Sequence, residues 1–318
     1  MIDGRQLAWV ESPLQLLCAA EFAAAQGRSI DVAFRLSGPQ MTATAKVLLD
    51  RGALFASCAP YYGIPWELLA SHRDWVIGDA FSGQFRTAMS VLGARSMTLV
   101  DDGAMTVHAA RVLTGRAPYS RPGQSESSLK TLLGGLARDR MLALAARERL
   151  DVFTAFADKG ELRALAATGV AVRSNDFAWL RDSAAPISLT HDTVVLGSAA
   201  VVDGTLTVDA YLAWLRDTVR STPAAYLPHR RESGELLERV RAVDGLTVIS
   251  TGLPVELALA GTRRPLEIVT RPSTAVTTLE RVLAGSGTRI RVDADRVTAE
   301  RRVEAGELSE LDESEMRR

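Results

Sequence analysis

The sequence predicts an α/β protein built from two doubly wound, Rossmann-like domains. Three observations carry that prediction: a length of 318 residues, an alternation of short β-rich runs with helical stretches, and a restart of that alternation near residue 190. A chain of this length exceeds one ordinary core and suits two. Strands alternating with helices predict parallel sheets covered on both faces.

In the first half the strand candidates are Leu7–Val10, Asp31–Leu36, Leu54–Cys58, Trp75–Ile77, Met97–Val100, Val152–Phe156 and Val170–Arg173. The longest helical pattern there runs from about Ser127 to Arg149. In the second series Thr193–Leu196, Ala224–Leu227, Leu246–Ser250 and Leu266–Thr270 read as strands. Val208–Ser221, Glu232–Val243, Val255–Ala260 and Thr274–Ala284 read as the helices around them. Periodicity breaks at Asp182-Ser-Ala-Ala-Pro186, which places the boundary between residues 181 and 190. The expected division is 1–185, 186–290 and a charged tail, 291–318, that is acidic at its end.

Composition narrows the function classes. The chain is 47% hydrophobic and 24% charged, as a globular protein is. Its 37 Lys and Arg against 38 Asp and Glu leave a net charge of −1, so no basic surplus points to nucleic acid. Cys18 and Cys58 are expected to be free and buried, in a reducing compartment. The four histidines (72, 108, 191, 229) form no HxxxH pair and there is no CxxC, so no metal site is expected. No run approaches the roughly 18–20 apolar residues of a membrane span. Met1-Ile-Asp-Gly-Arg-Gln-Leu7 lacks a signal-peptide pattern, and the expected location is the cytosol.

Four segments could carry chemistry. In Glu11-Ser-Pro-Leu-Gln15, Ser12 is placed as an N-cap, Pro13 at the first helical position and Gln15 as the partner of a capping box; Gly27 fits the helix end. This is a well-built helix start, and it also aims a polar helix N-terminus at the C-terminal end of a strand. Asp101-Asp102-Gly103 follows an apolar strand, at the edge where open α/β sheets bind ligands. It could be an ordinary Asp-Gly turn. Equally, two adjacent carboxylates repel, which raises one pKa and prepares a base.

His229, in Tyr226-Leu-Pro-His-Arg-Arg-Glu232, stands just past another strand with Arg230 and Arg231, a setting that suits an anionic leaving group. The fourth group comprises Gly197 and Ser198, Thr251 and Glu256, and Ser273 and Thr274, each after a strand of the second series. Any one of these alone is an ordinary cap. Together they line one sheet edge: His229, Ser273 and Thr274 for a phosphate, Glu256 for ribose hydroxyls, and open backbone at Gly197 for a base. That reads as a nucleotide site without a Walker or GxGxxG loop, and the missing GxGxxG argues against an NAD-type domain.

This ordered set resembles the bacterial sialyltransferases of GT-B type, in particular the lipooligosaccharide sialyltransferase and polysialyltransferase-like families. The matching pieces are Ser12-Pro-Leu-Gln15, Asp101-Asp-Gly103, Tyr226-Leu-Pro-His229 with Arg231-Glu232, Pro254-Val-Glu256 and Ser273-Thr274-Ala275, in order from about residue 7 to 280. Arg230 stands where many members have proline, and Arg271-Pro272 where glycine is common.

The resemblance implies two Rossmann-like domains facing an interdomain cleft. It further implies metal-independent, inverting transfer of sialic acid or a related nonulosonic acid from a CMP-activated donor to a glycan or glycolipid, with no cofactor. Asp101 is then the first choice for the base and Asp102 the second. His229 would hold the CMP phosphate with Ser273 and Thr274, Glu256 would take the ribose, and Gly197-Ser198 would border the cytosine. Peripheral contact with the inner face of the membrane and a homodimer are compatible with this reading. Its rivals are a CMP-Kdo-like or nucleotide-diphosphate-sugar donor on the same fold, and a degenerate GT-B protein that binds without catalysing.

Overall fold

Two all-parallel sheets organise the chain, each with its most apolar strands at the centre. A computed structural model describes residues 5–187 and 189–293. The acidic tail expected for 291–318 lies outside the described residues from position 294 onward.

The first sheet draws on β1 (Leu7–Val10), β2 (Ile30–Arg35), β3 (Phe55–Tyr61), β4 (Asp74–Ile77), β5 (Ser96–Val100), β6 (Leu150–Thr154) and β7 (Ala171–Ser174). The helices between them are α1 (Pro13–Gln26), α2 (Pro39–Asp50), α3 (Trp66–Ser71), α4 (Gly83–Val91), α5 (Ala104–Leu113), α6 (Ser128–Ala145) and α7 (Gly160–Ala166), and α8 (Ala178–Ser183) follows β7. The strand order is β3-β2-β1-β4-β5-β6-β7. The chain thus winds outward from β1 through β2 and β3, then restarts on the other side at β4. The reversal between β1 and β4 is a topological switch point, where strand C-termini leave a crevice. Every residue of β1 and of β4 is buried, whereas the edge strands β3 and β7 are largely exposed or half-buried.

The second sheet has β8 (Thr193–Leu196), β9 (Ala224–Leu227), β10 (Leu246–Val248), β11 (Glu267–Thr270) and β12 (Arg289–Val292). Between these strands lie α9 (Val208–Thr218), α10 (Gly234–Arg241), α11 (Val255–Leu259) and α12 (Ala275–Val282). Its order, β10-β9-β8-β11-β12, repeats the same plan with a switch point between β8 and β11. Its core packs Val195, Tyr211, Leu215, Tyr226, Val240 and Val269. Most strands start within a residue or two of the sequence expectation, because buried parallel strands are short apolar runs. The exception is β12. Its Arg-Ile-Arg-Val alternation belongs to a charged edge strand, which the sequence reading did not assign and which straddles the expected tail boundary at 291.

By contacts the chain forms two compact units. Among the described residues, the first takes 5–187 together with 251–263 and 277–286; the second takes 189–250, 264–276 and 287–293. Residues 251–263 and 277–286, read from sequence as part of the second domain, therefore pack with the first unit. Among the described residues no helix is long and apolar enough to cross a membrane.

Long-range polar contacts pin the first unit's helices. Arg86 on α4 is 3% exposed and donates to both oxygens of Glu126, at 2.6 and 2.8 Å, and to the Lys130 carbonyl. Its guanidinium also lies over the Tyr119 ring. Removing one partner of a buried pair leaves the other charge stranded. Arg86→Ala should cost about 3 kcal/mol in urea unfolding, and Glu126→Gln, which keeps an acceptor, should cost less than half of that.

Candidate functional site

Each unit carries one cluster of polar residues at the C-terminal end of its sheet. In the first unit the cluster straddles the switch point. Ser12 caps α1, accepting from the Gln15 amide at 3.3 Å, with Pro13 at the helix start and Gly27 closing the helix in a left-handed turn (φ 62°). Gln15 departs from the capping box expected of it. Its Oε1 accepts from the Glu11 backbone N–H at 2.7 Å, not from that of Ser12. Its Nε2 donates to Asp102 Oδ1 at 2.7 Å.

Gln15 follows β1 and Asp102 follows β5, so the amide reaches across the intervening strand β4. That is possible because the residue after β4 is Gly78. A Cβ there would lie 2.3 Å from Gln15 Oε1, where no atom fits. Gly103 then turns the chain at φ 61°, ψ −129°, a conformation that L side chains rarely adopt.

The two aspartates separate sharply. Asp101 is 0% exposed, and its carboxylate accepts from the Thr154 hydroxyl and, at 2.7 Å, from the Ala155 amide. Burial raises its pKa to about 6 against those hydrogen bonds. Asp102 is half-buried; its backbone N–H donates to the Thr106 hydroxyl and its carboxylate takes the Gln15 amide. Asp101, first choice for a base on sequence grounds, is thus a sealed structural carboxyl, and Asp102 is the member of the pair with solvent access. A cavity of about 20 Å³ beside Asp102 is lined by Phe81, Val100, Met105 and Leu113. That is room for a water and not for a sugar.

The second unit's cluster stands around the β8 and β9 ends. Gly197 N–H donates to the Leu227 carbonyl at 2.8 Å. A Cβ on Gly197 would meet the His229 backbone nitrogen at 2.3 Å and Glu232 Oε1 at 2.6 Å, so only glycine permits this approach. Ser198 N–H donates to Glu232 Oε1 at 3.0 Å.

His229 is half-buried, and its Nδ1 accepts from the Arg231 amide at 3.3 Å. In the neutral ring the proton then sits on Nε2, which is left as a donor. Desolvation first, and the neighbouring Arg230 and Arg231 next, lower its pKa below the ordinary value. Arg230 is exposed, and Arg231 pairs with Asp203. Ser273 and Thr274 follow β11, the strand beside β8; both are exposed, and the Ser273 hydroxyl accepts from the Ala275 amide at 3.2 Å.

Two expected ribose-side residues fall elsewhere. Glu256 is 4% exposed and accepts from the Thr278 hydroxyl at 2.6 Å, within the segments that pack with the first unit. Burial raises its pKa. A carboxyl sealed in this way offers nothing to ribose hydroxyls. Thr251 is exposed, and its hydroxyl accepts from the Leu253 amide in a turn. Cys18 is buried as expected, while Cys58 is only partly so. Among the described residues no group of three or more His, Cys, Asp or Glu could hold a metal ion.

Sequence reasoning missed Gly78, Glu232 and Arg271. Gly78 was visible as a glycine directly after a strand. Glu232 sat inside a motif already noted but looked like a helix-start carboxylate. Arg271 is 7% exposed with its guanidinium over the Trp214 ring, a burial that nothing in its local sequence announces.

No family model and no curated protein matches the sequence. Among solved structures, the chain is similar to a UDP-glucose: anthocyanidin 3-O-glucosyltransferase in complex with UDP, with TM-score 0.48 and 11% identity over 93% of this chain and 82% of that one. It is also similar to Os79 from O. sativa in complex with UDP and deoxynivalenol-3-glucoside, with TM-score 0.46 and 13% identity over 92% of this chain and 87% of that one. Both scores lie under 0.5 at low identity, a likeness too slight to assign chemistry.

The buried carboxyls predict a pH dependence of stability. Asp101 holds its proton more tightly folded than unfolded, its pKa raised from 3.8 to about 6, and Glu21 on α1 likewise rises from 4.5 to about 7. Stability from the protonated forms is complete below the unfolded values and is lost as pH rises through the folded ones. For Asp101 the loss is on the order of 3 kcal/mol. Urea unfolding from about pH 4 to pH 8 should show the decline, and Asp101→Asn should remove the part that ends near pH 6. A variant with the wild-type slope would rule this out.

Proposed function

We propose that the protein is a glycosyltransferase that moves sialic acid or a related nonulosonic acid from a CMP-activated donor to an acceptor hydroxyl, with inversion. The observation that carries the proposal is the half-exposed Asp102 carboxylate, oriented by Gln15 at the switch point of the first sheet. A general base must be accessible and held in one direction. Asp102 meets both requirements, whereas Asp101 is held but sealed from solvent, so the base is assigned to Asp102.

In the proposed reaction Asp102 accepts the proton of the acceptor hydroxyl as its oxygen bonds to the anomeric carbon. The bond from that carbon to the phosphate oxygen breaks, and its electron pair leaves with CMP. Positive charge builds on the sugar and negative charge on the phosphate, so hydrogen-bond donors are needed at the leaving group. His229 Nε2–H, Arg230 and the hydroxyls of Ser273 and Thr274 are assigned that task, and the Gly197–Ser198 backbone is assigned to the nucleoside. A single phosphate suits a cluster whose cationic side chains are His229 and Arg230. The ordered motif set supports the donor class; the acceptor is a glycan or glycolipid on the same ground.

Transfer from CMP-sialic acid and CMP-Kdo to a small acceptor panel, read by mass spectrometry, checks the assignment. Asp102→Asn should lower kcat by roughly 10²–10⁴-fold and leave CMP affinity unchanged, while Asp101→Asn should retain transfer. Calorimetry should show CMP binding tighter than UDP or GDP; UDP binding without CMP binding would redirect the donor to a nucleotide-diphosphate sugar. Bound phosphate favours the imidazolium, whereas free His229 has a lowered pKa. CMP affinity should therefore weaken as pH rises from about 5.5 to 8, and His229→Asn should flatten that trend.

A further inference from the structure

We infer that Glu232 is the positioning residue of the second unit's strand-end cluster, fixing the Gly197–Ser198 turn to the His229 loop. The inference rests on the reading of that cluster as the seat of the donor nucleotide. One oxygen of the carboxyl gathers donors from three elements: Oε1 accepts from the Tyr226 hydroxyl of β9 at 2.7 Å, from the Ser198 amide after β8 at 3.0 Å, and from the Tyr211 hydroxyl of α9 at 3.2 Å. The two tyrosine hydroxyls also lie 2.7 Å from each other. The Glu232 backbone N–H donates to the His229 carbonyl at 3.0 Å, so main chain and side chain grip the two halves of the seat separately.

Two further facts show that the arrangement is tight. Gly197 passes so near that its missing Cβ would strike both Glu232 and the His229 backbone. Glu232 Oε2 is buried, with no hydrogen-bond partner among the described residues. The carboxyl is therefore held by Oε1 alone, with its second oxygen given up. The residues it contacts are those that carry the proposed ligand contacts, plus the two tyrosines beneath them. Tyr211 stacks on Trp214 at 5.5 Å, and Arg271 lies over that indole, so the support continues toward the β11 end, where Ser273 and Thr274 stand. Burial also pushes the Glu232 pKa up, although the Tyr226, Ser198 and Tyr211 hydrogen bonds oppose the shift.

The test uses Glu232→Ala, Glu232→Gln and Glu232→Asp in the full chain. Gln keeps an acceptor at the same reach; Asp keeps the charge but withdraws it by one methylene, and it stands in if the Ala variant fails to fold. Hydrogen exchange is read in the free protein at Ser198, CMP affinity through Trp214 fluorescence, and the His229 ring by NMR. Ala and Asp should raise Ser198 exchange and weaken CMP binding by at least about tenfold, with Gln within about threefold of wild type. Wild-type exchange at Ser198 and wild-type affinity in both Ala and Asp would overturn the inference, as would faster exchange with unchanged affinity. If Ser198 and His229 respond in these variants but the wild-type protein binds no CMP, the positioning role stands and the donor reading fails.

Discussion

The hydrogen bond from Gln15 to Asp102 is the contact on which the first unit's polar cluster depends. It joins residues 87 positions apart. Its existence requires α1 to begin immediately after β1, β5 to lie two places from β1 in the sheet, and the strand between them to end in a residue without a side chain. Ser12 and Pro13 meet the first condition, the reversal of winding meets the second, and Gly78 meets the third. A glutamine bound at both ends, to Glu11 N–H and to Asp102, has little rotamer freedom left. The order is built in during folding and need not be imposed when a substrate arrives.

The second unit repeats the geometry with the chemistry inverted. A glycine again opens space at a strand end, but the carboxylate there turns inward and the groups left outward are hydrogen-bond donors. Gly78 lets an amide cross to a half-exposed Asp102, whereas Gly197 lets the backbone of His229 close over a half-buried Glu232. The first crevice thus presents a half-buried carboxylate, and the second presents donors and a histidine of lowered pKa.

Much of this architecture was legible in the sequence because it is local. Ser12, Pro13 and Gly27 are cap signals read within one helix, and β8 and β9 are apolar tetrads whose limits need no tertiary knowledge. The strand ends therefore came out where the chemistry would lie. What stayed hidden depends on distant packing. Gln15 looked like half of a capping box because its true acceptor-side and donor-side partners could be chosen only once β1, β4 and β5 were side by side. Glu256 opened a helix after a strand, as a ribose-binding carboxylate would, yet its segment packs with the other unit and Thr278 covers it. Arg289–Val292 was given no strand and was cut by the expected tail boundary at 291, since an edge strand needs only every second residue apolar.

The choice between Asp101 and Asp102 shows how a local ambiguity is settled by sheet geometry. Successive residues at a strand end face opposite ways. Position 101 turns toward β6, where the Thr154 hydroxyl and the Ala155 amide complete a closed pocket; position 102 turns toward the β1 side, where Gln15 waits. Two adjacent carboxylates would repel if both were ionised in one environment. Burying one of them raises its pKa and lets it hold a proton under mildly acidic conditions, which relieves the other. The buried member also anchors the end of β5 to the end of β6, and so fixes where its neighbour emerges. Through that anchorage Asp101 holds in place the turn from which Asp102 reaches the surface.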